Sequence, residues 1–113
     1  MFSKEYRLKK KYQFNYVYRV GRSVGSTNLV LYFSQSKNKN VKVGISVSKK
    51  LGHAVTRNLV KRRIRECVIP YLQKINPNFN VVFIAKTSAA EASFAELQKD
   101  VNYLLKKANI LCG

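Results

Sequence analysis

Acidic residues are nearly missing from this chain: five Asp and Glu stand against 22 Lys and Arg in 113 residues, a formal net charge of +17. Metal-assisted phosphodiester hydrolysis needs carboxylates gathered around one or two cations, and Glu5, Glu66, Glu91, Glu96 and Asp100 are scattered. Glu91, Glu96 and Asp100 are accounted for by capping and surface pairing around a last helix. His53 is the one histidine, so a histidine-based acid–base pair is lacking as well, and a protein-only nuclease is disfavoured. No metal site is expected. The two cysteines, Cys67 and Cys112, have neither zinc-ligand spacing nor the density of a disulfide scaffold, and read as free thiols in a reducing compartment. No apolar run approaches the ~18 residues of a membrane span, and no helix has the apolar face of an interfacial anchor. The opening residues are basic but have no apolar signal-peptide core. The expected location is cytoplasmic, with no membrane partner.

What is present is enough apolar residue, 46%, to fold one domain without staples. Residues 1–86 hold 19 basic and two acidic side chains, while residues 87–113 hold three of each. So one-sided a charge repels itself and raises the capture rate and affinity for a polyanion. Nucleic acid is the favoured partner.

Residues 50–66 concentrate this charge. At ~100° per residue, Arg57, Asn58, Lys61, Arg62 and Arg65 fall within one arc of ~140° on a helix. Val60, Ile64, Cys67, Val68 and Tyr71 form an adjacent buried stripe. Thr56 is the expected N-cap. Cations in the first turns oppose the helix dipole, whereas a bound phosphate would make amides, dipole and arginines favourable together. An ordinary solvated helix mixes Glu with Lys for i,i+4 pairs; this edge has no acid on it. Lys49 and Lys50 extend the positive strip toward the preceding strand.

The patterns predict the order αβββαβα, an α+β single-domain sandwich with helices packed on a mixed four-stranded sheet, and residues 1–10 as a flexible basic arm. A helix is expected from about Lys11 to Val20, stopped by Gly21 as a C′ glycine. Phe14, Val17 and Tyr18 share one of its faces, with Tyr12 and Tyr16 on the other. Residues 22–26 read as a short strand or an irregular lead-in, and strands are expected at 29–34 and at 41–48. In the third, Val41, Val43, Ile45 and Val47 face one way, and Lys42, Gly44, Ser46 and Ser48 make a small polar surface on the other. The basic helix ends near Pro70. Residues 81–85 are apolar on both faces and read as an interior strand, and Ser93 with Glu96 forms a capping box for the final helix. Phe14, Tyr18 and Tyr32 could stack unpaired bases beside a basic groove; Phe14 reads equally well as core.

The segments Arg7-Leu8-Lys9-Lys10 with Phe14, Val17, Tyr18 and Gly21, then residues 43–50, the helix with Arg57-Asn58, Lys61-Arg62 and Arg65, and residues 82–86 together resemble the protein subunit of bacterial ribonuclease P over nearly the whole chain. The resemblance implies a basic cofactor protein for a catalytic RNA, the two together removing the 5′ leader from precursor tRNA, with the RNA and its magnesium ions performing the hydrolysis. It implies that Lys49, Arg57, Asn58, Lys61, Arg62 and Arg65 contact the catalytic RNA. Phe14, Tyr18, Tyr32, Ser46 and Lys50 would line a cleft for the single-stranded leader. It further implies a left-handed βαβ crossover and no obligate protein partner. Tyr18 replaces a common phenylalanine, Leu59 stands where arginine is frequent, and Lys86-Thr87 replaces a frequent basic–proline pair. A ribosomal or general structured-RNA-binding protein is the alternative; a helix-turn-helix DNA reader is a poor fit, since no tight turn and helix precede the basic helix.

Overall fold

The computed structural model describes residues 3–112. The elements run α1 (Lys11–Val20), β1 (Arg22–Gly25), β2 (Leu29–Gln35), β3 (Lys42–Ser46), α2 (Ala54–Val68), β4 (Phe79–Ala85) and α3 (Phe94–Ala108), joined in places by single 3-10 turns. This is the expected αβββαβα order. The sheet has the strand order β1-β2-β4-β3. β4 lies antiparallel to β2 and parallel to β3, so the sheet is mixed and α2 carries the β3–β4 crossover. β4 has apolar residues on both faces because both are covered: Val81 and Phe83 lie in the main core and Val82 in a smaller cluster under α1, and all three are fully buried.

The main core lies on one face, where Leu31, Phe33, Val43 and Phe83 of the sheet meet Val60, Ile64, Cys67 and Val68 of α2 and Leu97, Val101, Leu104 and Leu105 of α3. α3 starts as expected: the Glu96 amide donates to Ser93 Oγ at 3.1 Å, and the Ser93 amide to Glu96 Oε1 at 2.9 Å. Asp100 departs from its expected surface role. It is buried and accepts from Asn28 Nδ2 at 2.9 Å, tying α3 to the β1–β2 turn.

A smaller cluster, Leu8, Val17 and Val82 with Phe14, Tyr18, Tyr32 and Ile84 around it, fills the space between α1 and the other face. Gly21 ends α1 in an extended conformation (φ −83°), not in the left-handed one a C′ glycine uses. Its requirement is steric, because a Cβ there would lie 2.5 Å from the Val17 carbonyl oxygen and 2.6 Å from that of Phe33.

Residues 3–10 are not a free arm; residues 1 and 2 of that segment lie outside the described residues. Lys4–Tyr6 form a 3-10 turn, Arg7 bridges in parallel to Val43, and the Leu8 amide donates to the Val43 carbonyl at 3.1 Å. The buried Leu8 side chain, hidden in a run of cations, supplies the apolar contact that holds the strap down.

Candidate nucleic-acid interface

α2 begins two residues before Thr56. His53 occupies the N-cap without a side-chain hydrogen bond, and the first turn holds no acid. Arg57 is therefore the fourth helical residue, its amide already donating to the His53 carbonyl at 3.0 Å. The amides of residues 54–56 are the ones at the helix mouth. Lys49 and Lys50, both exposed, sit on the 3-10 turn that leads into it.

Along α2 the division is sharp. Val60, Ile64, Cys67 and Val68 are buried, while Asn58 and Arg62 are exposed and Arg57, Lys61 and Arg65 half-buried. None of these four cations makes an ion pair or hydrogen bond among the described residues, and Arg57 Nε is buried with no acceptor. Arg63 differs: its Nη1 donates to the Ala92 carbonyl at 3.3 Å, clamping α2 to the segment before α3. Arg63 is thus tied into the fold, while the four cations beside it on α2 have no side-chain partner among the described residues.

On the other side of β3 a groove of about 410 Å³ runs between α1 and α2, lined by Lys9, Lys11, Phe14, Asn15, Tyr18, residues 45–47 and Lys61. β3 is one of the two edge strands of the sheet. Phe14 covers Gly44 so closely that a Cβ there would lie 2.5 Å from the ring. Part of the small polar face of β3 is thus closed by the chain's own α1, and Phe14 is at once core and groove wall. Tyr18 meets Tyr32 edge-to-face, ring centroids 5.2 Å apart. Burial raises the Tyr18 phenol's pKa above its ordinary value; a hydrogen bond with the Ser46 hydroxyl opposes this, and Tyr32 adds a smaller upward push. Tyr18 is therefore a neutral ring braced on two sides, able to present an edge or face to the groove at little entropic cost.

Among the residues read as a leader cleft, the fold brings Phe14, Tyr18 and Ser46 together in the groove. Tyr32 packs against Tyr18 without lining it, and Lys50 lies outside the lining, at the start of α2. Lys61, read as part of the ridge, lines the groove as well. Lys9, Lys11 and Asn15 were not singled out for this role. A basic run gives no hint of position until Leu8 is known to anchor it.

No group of three or more His, Cys, Asp and Glu is placed to hold a metal ion among the described residues. The groove's donors are hydroxyls and amides among lysines, a set that does not suit magnesium, which binds through carboxylates and phosphates. No described helix is long and apolar enough to cross a membrane.

The Ribonuclease P family model matches residues 2–109. The ribonuclease P protein component of Clostridioides difficile (strain 630) is 40% identical over 110 residues, spanning 96% of this chain and 96% of that protein. That of Staphylococcus carnosus (strain TM300) is 42% identical over 108 residues, spanning 95% and 93%. Among solved structures, the Staphylococcus aureus RNase P protein superposes with a TM-score of 0.85 at 36% identity, covering 93% of this chain and 96% of that one. The Thermotoga maritima RNase P protein, solved in complex with 1-(4-fluorophenyl)-2-thiourea, gives 0.81 at 27% identity, covering 89% and 98%. A basic α+β sandwich with a cationic helix edge, similar along nearly its full length to these proteins in both sequence and fold, this chain belongs to the ribonuclease P protein family.

Proposed function

We propose that this protein is the protein subunit of a cytoplasmic ribonuclease P, gripping the catalytic RNA with Lys49, Arg57, Asn58, Lys61, Arg62 and Arg65 while the groove holds the single-stranded 5′ leader of precursor tRNA. The observation that carries this reading is the double position of Lys61, which stands on the cationic edge of α2 and also lines the groove floored by Phe14, Tyr18 and Ser46. A cation shared by two sites offsets repulsion between two phosphate backbones drawn close together. Tyr18, braced by Tyr32 and Ser46, offers a sequence-tolerant stacking surface for an unpaired base. Lys50, at the mouth of α2, extends the strip from ridge toward leader.

In this reading the bond is broken by the RNA partner, and the magnesium ions are held by its phosphates. The protein's own groups bind and orient, and none of them moves a proton.

The test is reconstitution. RNA-free protein should leave precursor tRNA intact. Added to a bacterial catalytic RNA at physiological magnesium, it should accelerate 5′ leader removal. Cleavage by the protein alone, or no acceleration of the RNA (the behaviour of a ribosomal protein), would overturn the reading.

A further inference from the structure

The flank of α1 that faces away from the sheet is not an ordinary solvated helix surface. Tyr12, Tyr16 and Val20 stand at i, i+4 and i+8 and are 70%, 49% and 51% exposed. They are three of the five large apolar or aromatic side chains that the described chain leaves open to water, so the chain's exposed apolar surface is concentrated on one stripe. The Arg19 guanidinium lies 5.6 Å from the centre of the Tyr16 ring, leaving a cation beside an open aromatic face. A concavity of about 520 Å³ is formed there by Tyr12, Gln13, Asn15, Tyr16, Arg19 and Asn80. Asn15 also lines the groove between α1 and α2. Tyr16 in turn is shared with a larger concavity of about 710 Å³ that has Arg22 on its wall. Neighbouring depressions thus share a wall residue, Asn15 on one side and Tyr16 on the other, and no acidic side chain lines any of the three.

We propose that the Tyr12–Tyr16–Arg19 flank of α1 is a second single-strand subsite, taking the unpaired bases of an RNA strand as it leaves the Phe14/Tyr18 groove across Asn15. The inference rests on the proposed leader groove and extends it. Exposed rings next to a cation are the chemistry that holds unpaired bases without reading their sequence. Three features select RNA over a protein occupant: the wall shared with the groove at Asn15, the absence of carboxylates, and the two arginines, Arg19 and Arg22.

The experiment uses the reconstituted holoenzyme with two precursors, one whose leader is just long enough to fill the groove and one whose leader is several nucleotides longer. The readout is the ratio of their affinities. Tyr12→Ala with Tyr16→Ala should cut the long-leader advantage by roughly tenfold for each ring removed, and Tyr12→Phe with Tyr16→Phe should keep it. 4-Thiouridine placed in the leader beyond the groove should crosslink to this flank. Both rings are exposed, so unchanged thermal melting is the control on folding. Tyr18→Ala run in parallel separates the two ideas. If it lowers long-leader affinity while the Tyr12/Tyr16 pair leaves the ratio alone, the second subsite falls and the groove stands. If neither alters any leader-dependent affinity, the groove falls with it. A Tyr12/Tyr16 effect equal for both leaders, or a loss of self-association with no leader dependence, overturns the proposal.

Discussion

Replacing Arg62 and Arg65 together by Gln tests the ridge most directly. Gln keeps helix propensity close to that of Arg, and neither guanidinium is paired within the described chain, so folding should be undisturbed. If each contacts one phosphate, each charge removed flattens the slope of log K against log salt by ~0.7–0.9, or about 1.4–1.8 for the pair. A charge-assisted contact contributes about 1.4 kcal/mol, a factor of about ten, so the double variant should bind the catalytic RNA about 100-fold more weakly at about 0.05 M salt. Raising salt fourfold, to about 0.2 M, should narrow that gap to about tenfold, since the wild type loses affinity faster. Anisotropy titrations of labelled RNA at fixed magnesium over a salt series read both quantities. Arg63→Gln is the control: its guanidinium is bonded to the Ala92 carbonyl, so it should lower melting and leave the slope alone. A double variant with wild-type slope, or an Arg63 variant with an equal change in slope, refutes the assignment.

Other consequences are as specific. Tyr18→Ala should weaken long-leader precursor by about 1–3 kcal/mol relative to mature tRNA while Tyr18→Phe retains binding; equal losses on both RNAs would contradict a leader groove. Gly44→Ala drives a methyl to 2.5 Å from the Phe14 ring and should cost about 1–3 kcal/mol in urea unfolding, with Phe14→Leu recovering part; purely additive losses would show the two positions are not in contact. Iodoacetamide at pH 8 should label exposed Cys112 and spare Cys67, whose thiol is pushed up to about 11 by burial and, less, by Glu66. Because that folded pKa is raised, the associated stability is complete below about 9 and fades as pH climbs through about 11, which alkaline melting curves will show. Asn28→Ala strands the buried Asp100 carboxylate and should cost about 1–3 kcal/mol in thermal unfolding, with Asp100→Ala in the same chain relieving part of the loss.

The elements whose signals are local were legible. The interior character of β4 follows from apolar side chains on both faces, the start of α3 from its reciprocal Ser93–Glu96 bonds, and the cationic edge of α2 from helical spacing alone. Non-local features were hidden. Thr56 is a good capping residue by type, yet the Lys49–Leu51 turn delivers the chain to the helix at His53, so tertiary entry overrides side-chain preference. Leu8 is one apolar residue among cations, and only β3 as an edge strand gives it something to grip. Asp100 lies on the core side of α3 and is tolerable there because Asn28, 72 residues earlier, donates to it. Lys9 became a groove residue for the same reason: its position depends on a strap that periodicity does not register.

Why the groove lies where it does follows from the cost of an open sheet edge. β3 is an edge strand, and an edge strand invites pairing with another chain unless something blocks it. The strap does so at Val43, while Phe14 covers the sheet face at Gly44 and residues 45–47 line the groove. Lys9, Lys11 and Lys61 converge on that stretch. Their mutual repulsion costs the fold some stability, and a second copy of the same edge, carrying the same cations, would meet it with like charge. An RNA strand meets it with opposite charge. The arrangement that bars a second copy of this strand is thus the one that admits a polyanion, so removing the lysines should weaken RNA binding and promote edge-to-edge association together.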